Sequence, residues 1–239
     1  MNTESEFVAH EPCPNCGSSD ANSRYSDGHT FCFSCQTYTP AEGDTPIHKM
    51  NNERVQFLGS AEQLHKRRIS EATNSFYRIY RYGNTLRFPY HDESGRVVGF
   101  KIKSKKKEFH YEGTATSTLF GQHLFPTSGK RIVITEGELD AASCYEVMSG
   151  WPMVSLPHGA AAAKKDLQKA IPFLQGYQEI VLFFDNDDAG REAVESASSI
   201  LPAGRVKIAR LDAYKDASDA LQADDKDAIR RAIWDAKPY

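Results

Sequence analysis

Apolar residues along this chain fall into two rhythms. From residue 130 onward they come as short clusters, Arg131-Ile132-Val133-Ile134-Thr135, Met153-Val154-Ser155-Leu156 and Val206-Lys207-Ile208-Ala209, around one unbroken run of five, Ile180-Val181-Leu182-Phe183-Phe184. Runs of this length, rich in β-branched and aromatic residues, predict strands buried on both faces, as in parallel sheets covered by helices. Helices are predicted between them, one running through Val147, one over Ala160–Leu174, one opening at Ala189 and a last over Asp224–Ala236. Strand and helix in alternation imply βαβ units and a mainly parallel sheet.

Upstream the period changes to two. Leu86–Tyr90 and Val97–Lys103 read as strands of a hairpin turned by Asp92-Glu93-Ser94-Gly95. Alternation sets Lys101 and Lys103 on one face of the second strand and Phe100 and Ile102 on the other, and Lys105, Lys106 and Lys107 extend the basic edge. Ser60–Lys66 and Ser70–Tyr77 are expected as short helices with serine starts. Thr39–Asn52 gathers Pro40, Gly43 and Pro46 with almost no apolar period and reads as a flexible linker. Near the N-terminus, Arg24–Phe31 alternates about Asp27-Gly28, as a hairpin would. The expected segments are 1–40, a linker over 41–53, a basic segment over 54–129 and the α/β part over 130–239.

Of the 239 residues, 40% are hydrophobic and 26% charged, values of an ordinary soluble protein. No apolar run of ~18 residues occurs, and residues 1–11 lack the basic-then-apolar order of a signal peptide. The expectation is a cytoplasmic protein with no membrane partner. The formal charge of −3 hides an asymmetry: residues 54–110 hold 13 Lys and Arg against 5 Asp and Glu, while the remainder holds 16 against 27. A basic block beside an acidic one suits a polyanion next to a cation site, although a solvated face of scattered lysines gives the same count.

Cys13-Pro14-Asn15-Cys16 and Cys32-Phe33-Ser34-Cys35 are C-x2-C pairs separated by fifteen residues. Four thiolates so spaced can close a tetrahedral shell around a structural Zn²⁺, with His10 as a substitute ligand. Two disulfides are the alternative, which a reducing compartment disfavours. Between the pairs, Arg24, Tyr25, Asp27 and His29 are groups able to read bases by hydrogen bonds and stacking, although from its own surroundings in the sequence His29 reads first as a histidine beside the zinc shell or in solvent. Cys144, alone on a predicted helix, reads as a small buried hydrophobe.

Carboxylates collect where the buried runs end. Asp185, Asp187 and Asp188 follow the central run at once, and Glu136 follows the first. Ligands bind in open α/β sheets outside the carboxyl ends of the strands, so neighbouring strands would bring Glu136 and Asp185 into one crevice. One Asp can serve as a helix cap, but several carboxylates together suit a hard divalent cation such as Mg²⁺. Lys215-Asp216 adds another acid after the fourth run. Lys164 and Lys165 follow Pro157-His158-Gly159 on a predicted helix, either near a ligand or on a solvated face.

A strand ending in Glu-Gly-Glu, a later one ending in Asp-x-Asp with Ala-Gly behind it, and a downstream Lys-Asp resemble a Toprim domain, found in primases, topoisomerases and some nucleases. With the cysteine pairs, the basic hairpin and the phrases S-D-G-H-T-F-C, T-E-G-E-L-D, H-G-A-A-A-A-K-K and K-D-A, nearly the whole chain resembles the primase region of the T7-like phage primase-helicases. The implied fold is α/β: a four-cysteine zinc ribbon linked to a Toprim-type parallel domain with a smaller basic N-terminal subdomain.

The implied activity is synthesis of short RNA primers on single-stranded DNA by metal-dependent nucleotidyl transfer, with a template trinucleotide recognised by the ribbon. By the family's pattern Cys13, Cys16, Cys32 and Cys35 hold zinc. Glu136, Asp185, Asp187 and Asp216 are the catalytic acids that hold Mg²⁺ or Mn²⁺, with Asp140 and Asp188 as weaker candidates. Asp27, His29, Arg67, Lys101, Lys103, Lys107, Lys164 and Lys165 bind template or nucleotide. The implied partners are single-stranded DNA, ribonucleoside triphosphates, a replicative helicase in cis or in trans and a DNA polymerase, in the host cytoplasm. Two positions depart from the pattern: Arg68 stands where it has glycine, and Asn186 separates Asp185 from Asp187 in place of an apolar residue. No G-x-x-x-x-G-K-[ST] loop occurs, so no helicase motor is expected within the chain, which is then a primase fragment or a stand-alone primase. A Toprim nuclease and a non-catalytic single-strand binder are the alternatives; a topoisomerase would need a tyrosine nucleophile on a further domain.

Overall fold

The computed structural model describes residues 6–34, 37–39, 41, 57–105, 108–113 and 118–239. The linker expected over 41–53 lies outside the described residues except for position 41, as do Cys35 and Lys107. The chain divides into two units, Met1–Arg54 and Val55–Tyr239.

The first unit is an antiparallel sheet of β1 (Phe7–Glu11), β2 (Asn22–Tyr25), β3 (Thr30–Cys32) and β4 (Tyr38–Thr39), paired in chain order. The Asp27-Gly28 turn closes the hairpin of β2 and β3, with Gly28 at φ 92° and the Tyr25 amide donating to the His29 carbonyl at 3.0 Å.

The second unit starts with α1 (Glu71–Tyr77), whose N-terminus is capped by Ser70 Oγ accepting from the Thr73 amide at 3.2 Å. The helix expected over Ser60–Lys66 does not form. Ser60 pairs instead with Arg81, amide to carbonyl in both directions at 2.8 and 3.2 Å, which takes the backbone groups a helix would have used. Only His65–Arg67 turns, as a short 3-10 helix. Four strands follow as an antiparallel meander: β5 (Tyr80–Tyr82), β6 (Thr85–His91), β7 (Val97–Lys103) and β8 (Phe109–Gly113).

Then come β9 (Gly129–Thr135), α2 (Glu138–Val147), β10 (Met153–Ser155), α3 (Ala163–Leu174), β11 (Tyr177–Phe183), α4 (Asp188–Ser198), β12 (Val206–Ile208), α5 (Ala217–Gln222), α6 (Lys226–Trp234) and β13 (Lys237–Pro238). The sheet order is β10-β9-β11-β12-β13, parallel except for the antiparallel edge strand β13. Period-two alternation divides the core. Ile132, Ile134, Ile180 and Leu182 pack with Leu167 and Ala170 of α3 and with Ala193 and Ala197 of α4. Val133, Val181 and Phe183 face the other way, toward α2, α5, α6 and the aromatic residues Tyr77, Phe88, Tyr90 and Phe120. Each such aliphatic side chain contributes about 1.5–3 kcal/mol on burial. The two cores hold the strands in place, and their carboxyl ends carry the acids.

The alternation expected in β7 is present, with Phe88, Lys101 and Tyr111 in register across β6, β7 and β8. The open basic edge is not, at least for Lys101. Its face turns inward, and Lys101 retains only 8% of its exposure. The opposite face is covered too, by Phe57 against Phe100 and by the Arg87 guanidinium over the same ring.

Candidate active site and metal centres

The acids meet because β9 and β11 are direct neighbours. Phe183 pairs with Thr135, so Glu136 and Asp185 emerge side by side just past the two strands. Gly190 makes the close turn possible: a Cβ there would stand 2.0 Å from the Asp185 carbonyl oxygen. Asp140 comes from the first turn of α2 and Asp216 from the start of α5. Carboxylate oxygens of Asp140, Asp185 and Asp216 lie within 4.8 Å of one another.

The electrostatics match this crowding. Burial, with Asp185 beside it, raises the Glu136 carboxyl above its ordinary range. Asp185 is raised by burial and by Asp216, and Asp140 well above its ordinary value by burial and then by Asp216. Asp187 goes the other way, because the Gly190 amide donates to its Oδ1 at 3.0 Å. Glu136 Oε2 is buried with no hydrogen-bond partner. An unsatisfied buried carboxylate oxygen beside three converging acids is a donor set for a hard divalent cation.

Helix capping engages two of these acids without removing them from the cluster's surroundings. Asp187 is the N-cap of α4, and Asp216 the N-cap of α5, with Oδ1 accepting from the Asp219 amide at 2.7 Å. Asp188 points outward and pairs with Arg191. Lys215 places its ammonium 3.2 Å from Asp185 Oδ2 and 3.0 Å from Asp187 Oδ2, and the two acids raise its pKa.

Across from the acids, β7 and β8 supply Lys101, Lys103, Phe109 and Tyr111, enclosing a crevice of about 500 Å³. Lys101 is held by Glu138 Oε1 at 2.7 Å and the Pro157 carbonyl at 3.0 Å, and the Tyr90 hydroxyl donates to the same Glu138 oxygen at 2.6 Å. Arg67 reaches Ser218 Oγ on α5 at 2.7 Å, next to Asp216. Lys164 and Lys165 are exposed on the first turn of α3 and do not line the crevice. Glu138, Lys215, Phe109 and Tyr111 join the site beyond the residues the sequence marks. Glu138 and Lys215 belong to Glu-Gly-Glu and Lys-Asp-Ala, whereas nothing local marks the two aromatic residues.

In the ribbon, the sulfurs of Cys13, Cys16 and Cys32 lie within 4.8 Å of one another, and those of Cys16 and Cys32 are 3.7 Å apart. The Cys16 amide pointing at the Cys13 sulfur lowers that thiol's pKa, favouring the thiolate that zinc requires. These three fit a structural Zn²⁺; the fourth cysteine of the motif, Cys35, lies outside the described residues. On the hairpin, Asp27 Oδ1 is 2.6 Å from His29 Nδ1, and the His29 ring stacks on Tyr25 at 4.3 Å.

Residues 9–44 match the family of zinc-binding domains of primase-helicases, and residues 133–221 match the Toprim-like family. The crystal structure of the primase fragment of the bacteriophage T7 primase-helicase is 36% identical, with a TM-score of 0.68 over 96% of this chain and 100% of that one. The chain belongs to the primase region of the T7-like primase-helicases. A DNA helicase/primase of Enterobacteria phage T3 is 38% identical over 99% of this chain and 45% of its own length. The chain thus spans less than half of the curated relatives it matches. A structure of the bacteriophage T7 lagging-strand DNA polymerase interacting with primase domains of two gp4 subunits bound to an RNA/DNA hybrid and dTTP contains a chain 36% identical, with a TM-score of 0.69 over 76% of this chain and 93% of that one. The E. coli primase catalytic core, 17% identical with a TM-score of 0.55, shares the fold. Among the described residues of this primase-region chain, no helix is long and apolar enough to cross a membrane.

Proposed function

We propose that this chain is a DNA primase that joins ribonucleoside triphosphates into short RNA primers on single-stranded DNA. The observation that carries the reading is the crevice itself, with converging carboxylates on one wall and lysines on the other, in a chain of the primase-helicase family. Glu136, Asp140, Asp185 and Asp216 hold Mg²⁺ or Mn²⁺, with Asp187 at the edge of the set. When bound, such ions neutralise charge on the reacting phosphates and favour the 3′-hydroxyl as nucleophile.

The remaining residues orient and balance charge. Lys215 offsets the repulsion between Asp185 and Asp187, and is positioned to exchange one of them for a phosphate oxygen. Lys103 and Arg67 attract the polyanions, and Lys101, fixed by Glu138, offers a stationary donor at the crevice wall. On the ribbon, Asp27, His29 and Tyr25 present hydrogen-bonding groups and a ring to template bases. A replicative helicase and a DNA polymerase are the proposed partners, which the phage relatives' names and assembly support, and the host cytoplasm is the proposed place of action.

The test is incubation with single-stranded oligonucleotides of varied trinucleotide content, labelled ribonucleotides and Mg²⁺, with products separated by length. Template-dependent short RNAs, abolished by Asp185→Asn, are expected. Shortening of the oligonucleotide without RNA would make the acids a nuclease site.

A further inference from the structure

The crevice carries a feature that charge does not explain. β8 is the edge strand of its sheet, and on it Phe109 and Tyr111 remain 49% and 46% exposed. Exposed aromatic residues on an edge strand invite non-specific pairing and mark binding surfaces when they persist. Both lie on the face of the sheet that lines the crevice, beside Lys101 and Lys103 and opposite Glu136, Asp185 and Asp216.

The two rings differ in how they are engaged. Tyr111 is tied down, its hydroxyl donating to the Pro157 carbonyl at 2.9 Å and its ring against His158. Among the described residues, no aromatic ring stacks on Phe109. Its neighbours are ammonium groups, Lys101 Nζ at 5.0 Å and Lys103 Nζ at 5.3 Å from the ring centre. A flat apolar ring flanked by two cations and facing a carboxylate cluster across about 500 Å³ is complementary to one ligand shape. That shape is an aromatic base joined to a chain of phosphates, and the enclosure is of the size that holds a single small molecule.

We propose that Phe109 is the platform on which the base of a ribonucleoside triphosphate stacks in the crevice, an assignment that rests on the nucleotidyl-transfer reading above. Stacking tolerates every base because each has a π-face, as a template-directed enzyme requires of its nucleotide site. The triphosphate then runs along Lys101 and Lys103 toward the acids. Phe109 thereby contributes affinity without discrimination, and base choice is left to the template.

Isothermal titration in Mg²⁺ with three probes tests this: ATP, inorganic tripolyphosphate and a single-stranded oligonucleotide. Phe109→Ala and Phe109→Leu are expected to weaken ATP about tenfold and to leave tripolyphosphate and the oligonucleotide unchanged, while Phe109→Trp retains ATP affinity. Leucine is the control for apolar bulk without a π-face, and the exposure of the position makes all three variants compatible with folding. Unchanged ATP affinity in Phe109→Ala, full rescue by leucine, an effect confined to the oligonucleotide, or absence of ATP binding to the wild type would each overturn the assignment. Primer synthesis by the wild type is scored separately. Synthesis with unchanged affinities removes only the stacking role, and base-dependent affinity without synthesis removes only the priming.

Discussion

The ammonium of Lys101 sits 2.7 Å from Oε1 of Glu138, and the two side chains keep only 10% and 5% of their exposure. A buried pair of this kind is costly to halve, because the survivor stays desolvated without a counter-charge. Glu138→Ala or Lys101→Ala is expected to cost about 3–5 kcal/mol in urea unfolding, and replacing both by apolar residues of similar volume should recover most of it. Additive losses in the double variant would show that the two residues are not energetically paired.

Lys215 lies against Asp185 and Asp187, two of the proposed cation ligands. Lys215→Met removes the competing positive charge, so Mg²⁺ binding measured calorimetrically should tighten several-fold while primer synthesis falls, because a group that positions phosphate is lost. Weaker Mg²⁺ binding in this variant would mean that the lysine organises the acids instead of competing for them.

His91 and His123 stack with ring centres 3.3 Å apart in the second unit. Burial lowers both pKa values to about 4; for His91 the neighbouring His123 and Arg78 add to the lowering while Asp92 opposes it, and for His123 Arg78 adds to it. Groups depressed in the folded state stabilise it above the unfolded pKa of 6.5 and lose that contribution as pH falls toward 4. Urea titrations should therefore show falling stability between pH 6.5 and 4, by at most roughly 3 kcal/mol per ring. A His91→Phe variant should flatten this dependence, and an unchanged slope would assign it to other groups.

Chelation of zinc should unfold the first unit and spare the second, since small metal-held sheets take their folding energy from the ion. Hydrogen exchange is the direct readout: amides of residues 22–32 lose protection, while those of β9 and β11 keep theirs. Cys16→Ser should reproduce the effect.

Arg68 has φ 55°, the left-handed region that favours glycine. It is retained there by Nε donating to the Gln222 carbonyl at 3.2 Å and by an ion pair with Asp224 at 3.1 Å. Exposed pairs contribute little, whereas the backbone conformation costs about 1–2 kcal/mol. Arg68→Gly should be neutral or raise the melting temperature by a few degrees.

How much of this was legible varies with how local the signal is. The strands β9, β10, β11 and β12 announce themselves by apolar runs, and Glu136 and Asp185 by following two of them directly. Lys101 shows the limit. Alternation gives its face, but whether that face meets water or Glu138 depends on how one sheet lies against α2, a contact between residues far apart in the chain. The absent helix over Ser60–Lys66 has the same origin, a pairing with Arg81 that no short window of sequence contains. Phe109 and Tyr111 left no trace in composition, since an exposed aromatic residue acquires meaning only from what stands opposite it.

Asp187 and Asp216 each hold the first turn of a helix; Asp216 lines the crevice, and Asp187 sits beside it against Lys215. The proposed chemistry and the architecture therefore share the same two residues, and an alanine at either position would damage both at once. Asparagine keeps the cap and removes only the charge. Loss of the proposed synthesis would leave the need for a hydrogen-bond acceptor at both places untouched, so the outline of the site is held by folding as well as by chemistry.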